Sequence, residues 1–394
     1  MPTFYNFTEN NIVRSFDDVF VPADAFRDGN LWIWGRGNYG SLGINNGVVF
    51  TQTQTPITTL SGGSNWKEVS IGYFFYVAAI KTDGTLWTWG NGSSFRLGTN
   101  DTDIARWTPV TTFAGGTDWK QVSCGNAHTA AVKTDGTLWT WGIGSYSSLG
   151  TNGGAAITPR TTFAGGTNWK QVSCGEYHTA AVKTDGTLWT WGRNSTIQLG
   201  TNDTINKSTP VTTFAGGTNW KQVSCGKDYT AAIKTDGTLW TWGNNAVVQL
   251  GDNTNTNKST PVTTFSGGTN WKQVSCGNAH TAAVKTDGTL WTWGSGSYGK
   301  LGNNLAINIS TPITTFAGGT NWKQVSFGLN DHASAIKTDG TLWVWGRGVY
   351  GRHGSNDQLD RSTPVTTFAG GTNWRKVSNN KYNVSAVTYI DSVI

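Results

Sequence analysis

The chain is expected to be all-β: a seven-bladed β-propeller of four-stranded antiparallel blades, closed by pairing N-terminal strands with C-terminal strands. Three observations predict this. The string D-G-x-L-W-x-W-G begins at Asp28, Asp83, Asp135, Asp185, Asp236, Asp287 and Asp339, with spacings of 55, 52, 50, 51, 51 and 52 residues. A Trp followed by Lys or Arg recurs equally often, at Trp66, Trp119, Trp169, Trp220, Trp271, Trp322 and Trp374. The two ends each carry half a copy, since the first starts at Asp28-Gly29 and the last stops just after Asp391. A period near fifty residues built from short strands is the pattern of a propeller.

Each copy reads as four strands. W-K-Q-V-S-C-G is strand A and H-T-A-A-V-K is strand B. T-D-G-T between B and C is an Asp-Gly hairpin turn, where Gly readily takes positive φ. T-L-W-T-W is strand C, with both indoles on one side because side chains alternate; they are expected to pack between blades. P-V-T-T-F is strand D, and its leading Pro suits an outer edge that need not donate to a ladder. At the ends, the C-terminus supplies A and B and the N-terminus supplies C and D, which removes an exposed edge. The propeller then spans residues 25–394, its closing blade shared by about 28–60 and 374–391, with an N-terminal arm at 1–24.

The W-G-x-x-x-x-x-x-L-G stretches, such as Trp191 to Gly200, follow C-G-x-x-H-T-A-A-V-K-T-D-G, and this whole ordered motif resembles the RCC1 repeat family over about residues 28 to 390. The resemblance implies a seven-bladed propeller. Its members include exchange factors for a small GTPase, a plant ultraviolet sensor and a secreted inhibitor of β-lactamases, so the fold does not select one function. The exchange factors' β-wedge is not found. The sensor's Trp positions hold Asn126-Ala127, Glu176-Tyr177 and Asn278-Ala279 instead. The segment NNIVRSFDDVFVPADAF is similar to the N-terminal segment of RCC1-like chains encoded by marine bacteriophages.

Length variation is confined to two connections. From the strand D Pro to the next Trp the count is always ten, whereas the A–B and C–D connections vary. In a four-stranded antiparallel blade those two lie at the same end. One face of the disc is therefore uniform and the other carries the insertions. Aromatic and Arg residues on that face are the candidate binding residues, because such side chains dominate interfaces. They are Tyr73, Phe74, Phe75 and Tyr76, where other copies have Asn-Ala-His, then Arg106 and Trp107, and in comparable loops Tyr39, Arg96, Tyr146, Tyr177, Arg193, Tyr298 and Tyr350.

Other chemistry finds little support. Cys124, Cys174, Cys225 and Cys276 occupy one repeat position and should be small buried residues, too far apart for disulfides. His128, His178, His280 and His332 also share a position, expected to hold the A–B turn by a hydrogen bond; His353 has no assigned role. No catalytic set, metal site or cofactor site is expected, and no enzyme. The net charge of +6 follows from two Lys and one Asp per copy, so specific nucleic-acid binding is not expected. No run is long and apolar enough for membrane insertion, and the N-terminus lacks the pattern of a signal peptide.

These readings favour a non-enzymatic display protein of a bacteriophage particle, in a virion or extracellular setting. The arm would bind other virion proteins, and the variable face would touch a host surface protein or glycan. The alternative is a soluble regulator or inhibitor that captures a partner protein on one propeller face.

Overall fold

Each repeat folds into one sheet whose strands follow in the order A-B-C-D from axis to rim. In this computed structural model the described residues are 15–16, 19–20, 29–45, 51–59, 63–101, 105–328 and 331–389. Blade one comprises Trp66–Gly72, Tyr76–Lys81, Leu86–Gly90 and Arg106–Thr111. Blades two to six begin at Trp119, Trp169, Trp220, Trp271 and Trp322. The closing blade joins Trp374–Asn379 and Asn383–Thr388 to Leu31–Arg36 and Gln52–Thr58. Leu31–Arg36 pairs antiparallel with Asn383–Thr388, so the ring closes as expected. Ser15–Phe16 and Val19–Phe20 form a small antiparallel ribbon; the rest of the arm, with its expected anchoring role, lies outside the described residues.

The T-D-G-T-L-W string is one hydrogen-bonded unit. In six blades the Asp carboxylate accepts from the amide and hydroxyl of the Thr two residues on, as from Thr187 to Asp185 at 2.9 and 2.7 Å. That hydroxyl then accepts from the first indole of strand C, as from Trp189 at 2.9 Å. The Lys that ends strand B lies over this indole and the strand A indole, at 4.3–5.2 Å from the ring centres in six blades. Half of the recurring Lys residues therefore serve cation–π contacts inside the blade.

The second indole of strand C binds the neighbouring blade. Trp89, Trp141, Trp191, Trp293, Trp345 and Trp34 donate to the carbonyl just before the Leu-Gly or His-Gly of the preceding blade, at 2.8–3.0 Å. The rings sit in apolar clusters that span two blades, as expected for the W-T-W strand.

Two girdles surround the axis. The strand A Ser hydroxyl of each blade accepts from the strand A amide of the next: Ser70 from Cys124, Ser123 from Cys174, Ser173 from Cys225, Ser224 from Cys276, Ser275 from Phe327, Ser326 from Asn379 and Ser378 from Ile71. The last bond, at 3.3 Å, completes the circle. A Gln two residues earlier brackets the next blade's Val, as Gln171 does with the amide and carbonyl of Val223. At the closing seam the Gln positions are Lys376 and Glu68, and a 2.9 Å ion pair replaces the bracket. Ser173→Ala should cost about 1 kcal/mol, the worth of one such bond. Urea unfolding would measure it, and an unchanged midpoint would show the girdle to be idle.

The four cysteines are free and buried. The histidines do something other than hold their own A–B turns. His128 Nε2 meets Thr179 Oγ1 and His178 Nε2 meets Thr230 Oγ1 at 3.0 Å, each across a blade seam. Tyr76 and Tyr229 take the same position and donate to carbonyls of the next blade. Tyr76 is fully buried, which corrects its expected place on the exposed face. His353 is fully buried where other copies place Leu.

Candidate functional site

The A–B turns and C–D loops share one face, and the C–D loops come in two designs. Blades three and four carry Asn194 and Asn245, both fully buried, which brace the loop from within. Asn194 Nδ2, for example, donates to the Asp203 carbonyl at 2.7 Å. In the other blades a Gly stands there, and four of these loops place Tyr39, Tyr146, Tyr298 or Tyr350 at φ between 54 and 67°. Side chains seldom adopt this conformation, and such strain gathers at binding sites. Tyr39, Tyr146 and Tyr298 are 43%, 50% and 44% exposed, whereas Tyr350 is half-buried.

Three of these tyrosines meet arginines of the next blade. Arg193 lies 5.3 Å from the Tyr146 ring centre, Arg347 lies 4.5 Å from Tyr298 and Arg36 lies 4.9 Å from Tyr350. Tyr177 adds an edge contact to Tyr146 at 5.2 Å, and Arg193 pairs with Asp228 at 3.6 Å. A further aromatic cluster spans the closing seam. There Phe75 stacks on Tyr382 at 4.4 Å, Tyr39 tilts against Phe75 at 6.1 Å, and Arg36 covers the pair.

The candidates divide by burial. Phe74 is 38% exposed, with Tyr73 beside it at 5.2 Å. Tyr73 itself is buried, and Lys381 lies over its ring. Desolvation, then the Glu176 charge, holds its phenol far above the usual range, so it stays protonated. Phe75 is buried by its stack with Tyr382. Arg96 is buried beneath Phe74 and Tyr76. Arg106 pairs with Asp101, and Trp107 packs against Gly40 of the closing blade while its carbonyl accepts from Asn45. Sequence reasoning missed Arg36, Arg347 and Tyr382. Arg directly after W-G in three copies, each following a copy with the loop Tyr, was the available signal.

The opposite face is not bland either. Phe113, Phe163, Phe214, Phe265, Phe316 and Phe368 are each 63–67% exposed there, one in each of blades one to six. Identical sites around a ring cannot orient an asymmetric partner, whereas the unequal loops can. Among the described residues no His, Cys, Asp or Glu group could hold a metal ion, and no helix is long and apolar enough to cross a membrane.

The model of the RCC1-like domain matches residues 23–266 and 109–393. The chain belongs to the RCC1-like domain family. This RCC1-like propeller is 33% identical over 337 residues to the ultraviolet-B receptor UVR8 of Arabidopsis thaliana, covering 84% of this chain and 64% of the receptor. It is 28% identical over 350 residues to the mitochondrial RCC1 domain-containing protein RUG3 of the same plant, covering 80% of this chain and 77% of that one. The human E3 ubiquitin-protein ligase HERC2 is 27% identical over 357 residues, 89% of this chain and 6% of the ligase. Among solved structures, human WBSCR16 superposes with a TM-score of 0.79 at 22% identity, covering 93% of this chain and all of that one. Prp20p of Saccharomyces cerevisiae reaches 0.79 at 16% identity, covering 93% and 92%.

Proposed function

We propose that this propeller is a non-catalytic regulator that captures a partner protein on its loop-bearing face. The observation that carries this reading is the confinement of loop variation, strained exposed Tyr and Arg–aromatic pairs to one side of the disc, against repeated identity on the other. Interfaces draw their energy from such aromatic and Arg anchors. The relatives support partner binding over virion display: one is a receptor, and the structure of Prp20p was described with its binding to Gsp1p and histones. No catalytic role is assigned: six of the recurring aspartates cap their own turns, and His128 and His178 bond across blade seams.

The test compares capture from lysate of the producing cells by three proteins. Replacing Tyr39, Phe74, Tyr146 and Tyr298 together by Ala should reduce recovery of the specific partner at least tenfold, equivalent to about 1.4 kcal/mol. Replacing Phe163, Phe214 and Phe265 on the uniform face by Ala should leave recovery unchanged. The reverse pattern would move the binding face to the other side of the disc.

A further inference from the structure

At the seam between blade six and the closing blade, a groove is lined by Arg36, Asn38, Thr51, Gln52 and Tyr350. Next to Tyr350 lies Arg352, whose side chain is only 1% exposed. Its Nε and Nη1 have no hydrogen-bond partner. The Arg352 guanidinium is 5.4 Å from the Tyr350 ring centre and 5.9 Å from that of Tyr382. Arg36 is 4.9 and 5.5 Å from the same two rings. Two cations thus share two aromatic walls.

The local charge is unbalanced. Asp331 offsets the field on Arg352, while Arg347 adds to it. That carboxylate already receives Lys300 at 2.7 Å and faces Arg347 at 3.9 Å. Burial pulls Arg352 down to about 10, so it remains charged at neutral pH. A desolvated, unpaired charge weakens a fold, and an incoming anion that completes the pair recovers the loss. Planar guanidiniums fit a carboxylate through two parallel hydrogen bonds.

We propose that this groove receives a carboxylate-bearing segment, an acidic peptide stretch of the captured partner, with Arg36 making the direct contact and Arg352 supplying a buried positive field. The proposal rests on the partner-binding reading and adds the partner's chemistry to it. The repeat does not require Arg here: the equivalent positions hold Ser41, Ser148, Gln198 and Gln249 in four blades and a buried basic residue, Arg96 or Lys300, in two, and Lys300 pairs with Asp331 where Arg352 Nε and Nη1 find no partner.

The experiment titrates a fluorescein-labelled hexaglutamate peptide into the full chain at low ionic strength and follows anisotropy. Arg36→Gln and Arg352→Met should each weaken binding at least tenfold, and Arg160→Gln, at an exposed position on the outer strand of blade two, should change it less than twofold. Arg352→Met should also melt at or above the temperature of the unmodified protein, because Met keeps the volume and removes the unpaired charge. Equal weakening by all three variants would reduce the effect to general charge and overturn the proposal. So would no binding, a phosphoserine peptide of equal charge binding more tightly, or an Arg352→Met protein that melts lower yet binds normally. If it does not fold, Arg36→Gln alone decides. If the unmodified protein captures its partner on the loop face but does not bind the peptide, the groove assignment falls and the wider function stands.

Discussion

Acidifying the protein from pH 7 to pH 5 will destabilise it by about 2 kcal/mol for each histidine that burial holds neutral. His128 and His353 are pushed down to about 4 and His178 to about 3 from the usual 6.5, and His280 and His332 lie well below it, in every case chiefly through desolvation. The unfolded chain takes up protons from pH 6.5 downward while the folded chain does not. Stability therefore falls as pH drops through that window and levels off only where the folded imidazoles protonate. The turn aspartates act in a separate window. Hydrogen bonds from the following Thr depress Asp185 below its ordinary 3.8, so its contribution is present above 3.8 and is lost only as pH falls further. A natural control exists in the chain, since Tyr76 and Tyr229 fill the histidine position and bond across the seam without titrating at acid pH. His128→Tyr with His178→Tyr should remove about 4 kcal/mol of the loss at pH 5. Thermal melts from pH 7 to pH 5 measure this, and a flat profile in the unmodified protein would contradict it.

The same seam chemistry explains what could be read in the sequence. Strand number, blade number and closure were legible because each depends on local strings repeated in order: the Asp-Gly turn, the W-T-W strand and the two half-copies at the ends. The parity of an antiparallel blade then put Tyr39, Tyr146 and Tyr298 on one exposed face without further information. Burial within that face was not legible. Phe75 is covered by Tyr382 and Trp107 lies against Gly40, both on the closing blade and far along the chain, while Arg96 is covered by Phe74 and Tyr76 from an earlier turn of its own blade. The histidines were misjudged for the same reason, since their partner Thr179 or Thr230 belongs to the next copy. A repeat motif describes a blade, and the seam between blades is written in two copies at once.

That distinction yields a second large effect at Trp34. Its indole is fully buried, donates to the Arg352 carbonyl at 2.8 Å and meets Trp374 at 6.4 Å. It packs with Ile336 and Leu342 of blade six and with Val377, Val384 and Ala386 of its own blade. Trp34→Ala should cost about 4 kcal/mol, from lost burial and the cavity left behind. Trp191→Ala in blade three removes an equivalent ring and bond and should cost about as much. The two variants should nevertheless open differently. Trp191 lies in a blade built from one uninterrupted stretch of chain, whereas Leu31–Arg36 is held to Asn383–Thr388 only by the sheet and its packing. Weakening Trp34 therefore lowers the free energy of releasing the N-terminal strands while the other six blades remain paired. In hydrogen exchange, Trp34→Ala should strip protection from Leu31–Arg36 and Gln52–Thr58 well before blades two to five, and Trp191→Ala should not. Equal loss of protection around the ring in Trp34→Ala would mean that the noncovalent closure is as strong as a continuous blade.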